Sequence, residues 1–211
     1  RVRSSAASDV YKRQLHDKEF RPFIEATKID QVITRMAEQM NRELADTQPL
    51  FLSILNGSFM FTSDLIKQIV IPGTQISFVK VASYSGTCST GAIQELIGLK
   101  EDIQNRTVVI LEDIIDSGRT LHYLIPVLKQ RNPKSIRLCA LLNKPDRREV
   151  EVQIDYLGFD IPDEFVIGYG LDYAQKYRNL PFIGVVEPEA AEDAEEGAEQ
   201  ASGEEKGDNV E

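Results

Sequence analysis

Residues 108–120, VVILEDIIDSGRT, constrain the fold more than any other stretch of the chain. Four apolar residues run into two adjacent acids, two more apolar residues, a third acid and a Ser-Gly-Arg-Thr turn. An apolar run of that length, cut off by turn residues, predicts a buried strand over Val108–Leu111. A helix is predicted to follow from Arg119 to Arg131, with Pro126 inside it as a possible kink. The same strand–turn–helix unit recurs. LFLSIL (50–55) reads as a buried strand, Asn-Gly-Ser turns the chain, and Phe59–Ile69 reads as a helix. ISFVKVASY (76–84) alternates like a strand, SGTCSTGA (85–92) reads as a loop, and further strands are predicted at 93–97, 135–143 and 165–169. Nearer the start, Ile29, Val32, Ile33, Met36, Met40 and Leu44 share one helical face between Ile29 and Ala45, with Thr27 and Asp30 as its start signal. Strands alternating with helices predict an α/β fold around a mostly parallel sheet. In such sheets ligands bind beyond the carboxyl ends of the strands, where the unusual motifs here fall.

With 211 residues, 42% of them hydrophobic, the chain can bury one ordinary core. No apolar run approaches the roughly eighteen residues of a membrane helix, so no membrane partner is expected. Cys88 and Cys139 match neither a disulfide framework nor a metal-ligand spacing, and both are expected as free thiols in a reducing cytoplasm. The net charge of −10 is concentrated at one end: residues 187–211 hold eleven acids against Lys206 alone, which leaves residues 1–186 neutral. A neutral body carries no electrostatic footprint for nucleic acid. Residues 187–211, rich in Glu, Ala and Gly, are expected to form an acidic disordered tail. Residues 4–14, SSAASDVYKRQ, lack hydrophobic periodicity, and one back-translation of them resembles a sequencing-library adaptor. Residues 1–14 are therefore expected to be an adaptor-derived or disordered leader, leaving one domain over 15–186.

The turn Asp116-Ser117-Gly118-Arg119-Thr120 offers backbone N–H groups, two hydroxyls and the positive end of a helix, a combination that favours a phosphate monoester. It lacks the spacing of a Walker A loop. Glu112 and Asp113 stand beside it, and unpaired carboxylates repel phosphate. A ligand that suits both must bring hydrogen-bond donors or a metal; a ribose 5-phosphate does so, with its hydroxyls toward the acids and its phosphate toward the turn. Two other readings of the acid pair stay open at this point, a solvated strand end and a Mg2+ site.

VVILEDIIDSGRT closely resembles the ribose-phosphate signature of type I phosphoribosyltransferases, and in particular of the hypoxanthine (6-oxopurine) phosphoribosyltransferases. LNGSFMF (55–61), SYSGTCSTG (83–91), LLNKPD (141–146) and FDIPDEFVIGYGLDYAQKYRNLP (159–181) follow in the family's order, so the resemblance runs from about Leu15 to Val186. It implies the type I phosphoribosyltransferase fold: a mostly parallel central sheet flanked by helices, a small hood and a mobile active-site loop. It further implies purine salvage, with phosphoribosyl transfer from phosphoribosyl pyrophosphate to hypoxanthine, and to guanine, yielding the nucleotide and pyrophosphate. Mg2+ as cofactor, a cytoplasmic setting and a homo-oligomer, dimer or tetramer, come with the same resemblance.

The resemblance also implies roles for single residues. Glu112 and Asp113 bind the ribose hydroxyls; Asp116, Ser117, Gly118, Arg119 and Thr120 bind the 5-phosphate; and Asp116 meets the purine's imidazole proton as general base or hydrogen-bond partner. Lys144 donates to the 6-oxo group, which favours hypoxanthine and guanine over adenine. Phe165 stacks on the base and Val166 contacts it through its backbone. Asp172 borders the purine and acts on Mg2+, with Glu112 and Asp113 as the other metal carboxylates. Leu55, Asn56 and Gly57 form a pyrophosphate loop, often with a cis peptide in the family, and Arg178 is a second pyrophosphate contact. Ser83 and Tyr84 open the mobile loop that covers the reacting centre. The chain departs from the family's pattern at Ser117 and Arg119, which keep donors in the phosphate turn, at Asn56, where a lysine is common, and at Gly170, where Ala is usual and Gly is expected to loosen the strand end.

Overall fold

The computed structural model describes residues 20–82, 95–97 and 99–186. Strand β2 (Leu50–Leu55) lies between β3 (Gln75–Ala82) and β5 (Thr107–Ile115), and both pair with it in parallel. Beyond β5 come β6 (Ser135–Asn143) and β7 (Tyr156–Asp160), also parallel, while the short β4 (Glu95–Ile97) closes the other edge antiparallel to β3. The chain thus builds outward from β2 in one direction, then returns to build in the other. That reversal opens a crevice between the carboxyl ends of β2 and β5, the usual ligand position in such sheets.

Alternation along the strands assigns the two faces. Phe51, Val109, Leu111, Cys139 and Leu141 point into one core with helices α1 (Ala26–Glu43) and α2 (Phe59–Ile66). Their neighbours Leu50, Leu52, Val108, Ile110, Leu138 and Ala140 point into a second core with α3 (Arg119–Lys129). Two buried faces explain why these strands read as continuous apolar runs rather than alternating ones. Each fully buried Leu, Ile or Phe contributes about 1.5–3 kcal/mol by leaving water. A second sheet of three strands, β1 (Phe20–Ile24), β9 (Ile183–Val186) and β8 (Val166–Ile167), accounts for the expected hood.

Several boundaries differ from expectation. Helix α1 begins at Ala26, with Glu25 as N-cap; its first turn is closed by Lys28 and Ile29 N–H groups donating to the Glu25 carbonyl, and no Thr27 cap forms. Helix α2 ends at Ile66, where Gln68 and Ile69 fold into tighter turns onto Leu65 and Ile66. Only Val166–Ile167 of the expected 165–169 strand is extended, and it belongs to the hood, because Tyr169 and both flanking glycines take positive φ. Pro126 lies inside α3 as expected. Strands β1, β7 and β9 were not expected; all three are only four or five residues long, too short to carry a clear periodic signal. Cys139 is a buried free thiol whose pKa is raised by burial. Cys88 lies outside the described residues. Among the described residues no helix is long and apolar enough to cross a membrane.

Candidate active site

The expected central strand stops at Leu111, but β5 runs on to Ile115, because Ile114 and Ile115 continue the ladder opposite Leu142 and Asn143 of β6. Glu112 and Asp113 are therefore held by strand backbone rather than by a loop. Glu112 is 9% exposed, and its Oε2 accepts no hydrogen bond. Burial first, and the Asp113 charge second, push its pKa well above the ordinary carboxylate range. Asp113 is pushed up to about 6, chiefly by burial and secondarily by Asp172; the N–H groups of Asp113 and Ile114 and the Arg178 charge pull the other way.

The loop after β2 meets Asp113 directly. A Cβ built on Gly57 would lie 1.6 Å from Asp113 Oδ2, so only a residue without a side chain leaves that carboxylate room. The Leu55–Asn56 peptide is cis, as the resemblance implies. Behind the loop, Ser53, Ser58 and Thr62 share buried hydroxyl bonds of 2.7 and 2.8 Å that fix the turn into α2. Gly170 packs on the Gly57 carbonyl so closely that its own Cβ would lie 1.9 Å from that oxygen, at φ +100°. Gly170 therefore does not loosen the strand end; it allows the segment to seat against the Gly57 loop.

Beyond β5, Gly118 takes φ +82° and caps α3, while Ser117 Oγ accepts weakly from Arg119 N–H at 3.4 Å. Glu112, Asp116, Ser117, Gly118 and Thr120 line a hollow of about 80 Å3 at this turn. Segment 145–150 straps the turn from outside. The Glu149 and Val150 N–H groups donate to the Ser117 carbonyl at 3.0 and 3.1 Å, and Arg119 pairs with Glu149. Lys144 N–H donates to the Ile115 carbonyl at 2.9 Å, which ties the end of β6 to the end of β5. The Lys144 side chain is nearly buried, with Nζ 3.6 Å from Asp163 Oδ1. Asp116 Oδ1 lies 3.2 Å from Arg147 Nε as an ion pair yet accepts no aligned hydrogen bond.

Asp172 holds Arg178 at 2.8 Å and accepts from Gln175 N–H at 2.8 Å, while Arg178 Nη1 donates to the Gly170 carbonyl. Phe165 is 53% exposed with its ring edge-on to Tyr173 at 5.9 Å, and Val166 is buried beside it in β8. Ser83 and Tyr84 lie outside the described residues. Glu112, Asp113 and Asp172 do not close into a protein cage: among the described residues no group of three or more acids, histidines or cysteines could hold a metal by itself. The orphaned Glu112 oxygen fits a partner that arrives with the ligand, a hydroxyl or a cation that takes its other oxygens from water and substrate. Two residues at this site were not expected, Arg147 and Asp163. Their only trace in the sequence is a charge cluster just after Lys144 and an acid in IPDEF, both easily read as solvated surface.

Residues 24–174 match the phosphoribosyl transferase domain family. The chain is 41% identical over 176 residues to the bifunctional protein TilS/HprT of Listeria monocytogenes, covering 83% of this chain but 27% of that protein, so it spans about a quarter of that relative. It is 41% identical over 174 residues to the hypoxanthine-guanine phosphoribosyltransferase of Bacillus subtilis, covering 82% of this chain and 96% of that one. A crystal structure of a hypoxanthine phosphoribosyltransferase from Staphylococcus aureus superposes with a TM-score of 0.75 at 38% identity, over 85% of this chain and 96% of the other.

Proposed function

The chain belongs to the phosphoribosyltransferase family, and on that premise we propose that it transfers the 5-phosphoribosyl group of phosphoribosyl pyrophosphate to hypoxanthine, and to guanine, in purine salvage. The observation that carries this reading is the set of buried side-chain atoms left without a hydrogen bond among the described residues: Glu112 Oε2, Asp116 Oδ1 and Arg148 Nη1. All three belong to the end of β5 or to the strap beside it, and buried polar atoms are rarely left orphaned without a functional reason.

In this reading Glu112 and Asp113 accept the ribose hydroxyls, and the turn from Asp116 to Thr120 receives the 5-phosphate through backbone N–H groups, hydroxyls and the start of α3. The reaction breaks the bond from the anomeric carbon to pyrophosphate and forms one to a purine ring nitrogen. Asp116 takes the proton that nitrogen gives up. Lys144 donates to the 6-oxo group, while Phe165 and Val166 flank the base and Asp172 borders it. Leu55, Asn56, Gly57 and Arg178 receive the pyrophosphate, and Ser83 and Tyr84 begin the loop that excludes water. Glu112, Asp113 and Asp172 would hold Mg2+, which would supply charge neutralisation to the leaving pyrophosphate. The proposal includes a cytoplasmic homo-oligomer, dimer or tetramer, that binds no nucleic acid.

Adenine, hypoxanthine, guanine and xanthine offered in parallel with phosphoribosyl pyrophosphate and Mg2+ test the reading. Hypoxanthine and guanine should be converted and adenine left almost untouched. Preference for adenine would overturn the Lys144 assignment, and no turnover of any base would overturn the proposal.

A further inference from the structure

An ionic bridge joins two residues that the proposed reaction uses separately. Arg147 stands between two carboxylates, with Nε 3.2 Å from Asp116 Oδ1 and Nη1 3.5 Å from Asp163 Oδ2. The other oxygen of Asp163 faces Lys144 Nζ at 3.6 Å. The order is therefore Asp116, Arg147, Asp163, Lys144. At its ends lie the proposed proton acceptor and the proposed 6-oxo donor, which meet neighbouring atoms on one edge of the purine.

The backbone makes this more than a chance surface contact. Lys144 N–H is fixed to Ile115, Arg147 N–H closes a short turn (Pro145–Arg147) onto the Lys144 carbonyl at 3.2 Å, and Glu149 and Val150 tie the next residues to Ser117. Arg147 therefore projects from a segment anchored at both ends of the site. A planar guanidinium can serve two carboxylates at once, which an ammonium does poorly. Side chains about half exposed, as Arg147 and Asp163 are, add little to stability through such pairs. What the bridge can supply is position: it keeps the Asp116 carboxylate and the Lys144 ammonium turned toward a common edge before the base arrives.

Building on the proposed reaction, we infer that Arg147 and Asp163 are positioning residues for the purine, acting through Asp116 and Lys144 respectively. Neither needs to touch the phosphoribosyl pyrophosphate, so KM for that substrate should stay as it is while turnover of the purine falls.

Steady-state kinetics of the full chain with Mg2+ test this on Arg147→Met, Asp163→Asn and the double variant, varying hypoxanthine and phosphoribosyl pyrophosphate in turn. Each single variant should lower kcat/KM for hypoxanthine by about fivefold, the upper range for a half-exposed ion pair, with KM for phosphoribosyl pyrophosphate unchanged within about twofold. The double variant should lose little more than either single one, because both act through one bridge. Single variants that match the wild type, a KM for phosphoribosyl pyrophosphate that rises as much as kcat/KM for hypoxanthine falls, or losses that add in the double variant would each overturn the inference while leaving the proposed reaction standing. A wild-type chain that converts no purine would instead remove the reaction and the inference with it. Should Arg147→Met fail to fold, the near-isosteric Asp163→Asn carries the same test alone.

Discussion

Two hollows border helix α3, and they differ in what lines them. The larger, about 950 Å3, runs past His122, Pro126, Lys134 and Ile136. Its buried charge is already paired: Arg137 meets Asp155 at 2.9 Å, and Asp155 also accepts from Leu138 N–H at 2.8 Å. The smaller, about 80 Å3, is lined by Glu112, Asp116 and the Ser117–Thr120 turn; there Glu112 Oε2 is buried with no partner, and Asp116 Oδ1 has only its ion pair with Arg147. Size alone would choose the first and chemistry chooses the second. A buried acceptor without a donor costs free energy until a ligand brings one, and that unmet demand distinguishes a site from a space.

Perturbing the small hollow should therefore cost far more than perturbing the large one. Beside that hollow, a large loss is expected from Gly57→Ala, whose methyl group would collide with the Asp113 carboxylate. A displacement of about 1 Å there should lower kcat/KM for phosphoribosyl pyrophosphate roughly 100-fold. Wild-type kinetics in the Gly57→Ala variant would show that Asp113 does not need its observed place.

Glu112→Gln should lower kcat/KM about tenfold through the loss of one charge-assisted hydrogen bond, yet raise the stability of the ligand-free protein. Glu112 and Asp113 both have raised pKa values in the fold, Asp113 from 3.8 to about 6, so the folded chain keeps protons that the unfolded chain has released. The stability those protons lend is complete below about pH 4 and is lost as the pH rises through the folded values. Thermal unfolding in chelator should accordingly give Glu112→Gln a higher Tm than the wild type at pH 7 and a shrinking difference toward pH 4. A pH-independent difference would remove burial as the cause.

Phe165→Ala should raise KM for hypoxanthine about tenfold, in line with the loss of one base-stacking contact, and leave KM for phosphoribosyl pyrophosphate unchanged. At the other end of the scale, His122→Ala and Lys134→Ala in the large groove should alter kcat/KM by no more than about twofold, as surface substitutions do. A large effect from either would make the groove part of the machinery and dissolve the contrast.

How much of this was legible in the sequence depended on whether the signal was local. The central strands were readable because burial on both faces leaves uninterrupted apolar runs, and SIRLCALLN is observed over the expected residues, 135–143. The turn after β5 and the helix start at Arg119 were readable because turn residues, hydroxyls and the first helical residues are contiguous. The extension of β5 through Glu112 and Asp113 was not, since two acids look like a strand end until β6 is seen to pair beyond them. Gly170 was misread for a related reason: its need for a bare backbone comes from Gly57, more than a hundred residues away. Arg147 and Asp163 were silent, because a bridge between Asp116 and Lys144 exists only once the strap has folded across the turn.

The account rests most heavily on Asp116, whose Oδ1 has the Arg147 ion pair but no hydrogen bond, and which the proposed reaction uses as proton acceptor. The direct measurement is kcat for nucleotide formation from hypoxanthine and phosphoribosyl pyrophosphate by the wild type and by Asp116→Asn, an exchange that keeps shape and removes the proton acceptor. Loss of a general base predicts a fall of about 100- to 10,000-fold in kcat with both KM values little changed. An Asp116→Asn chain that retains wild-type kcat would contradict it.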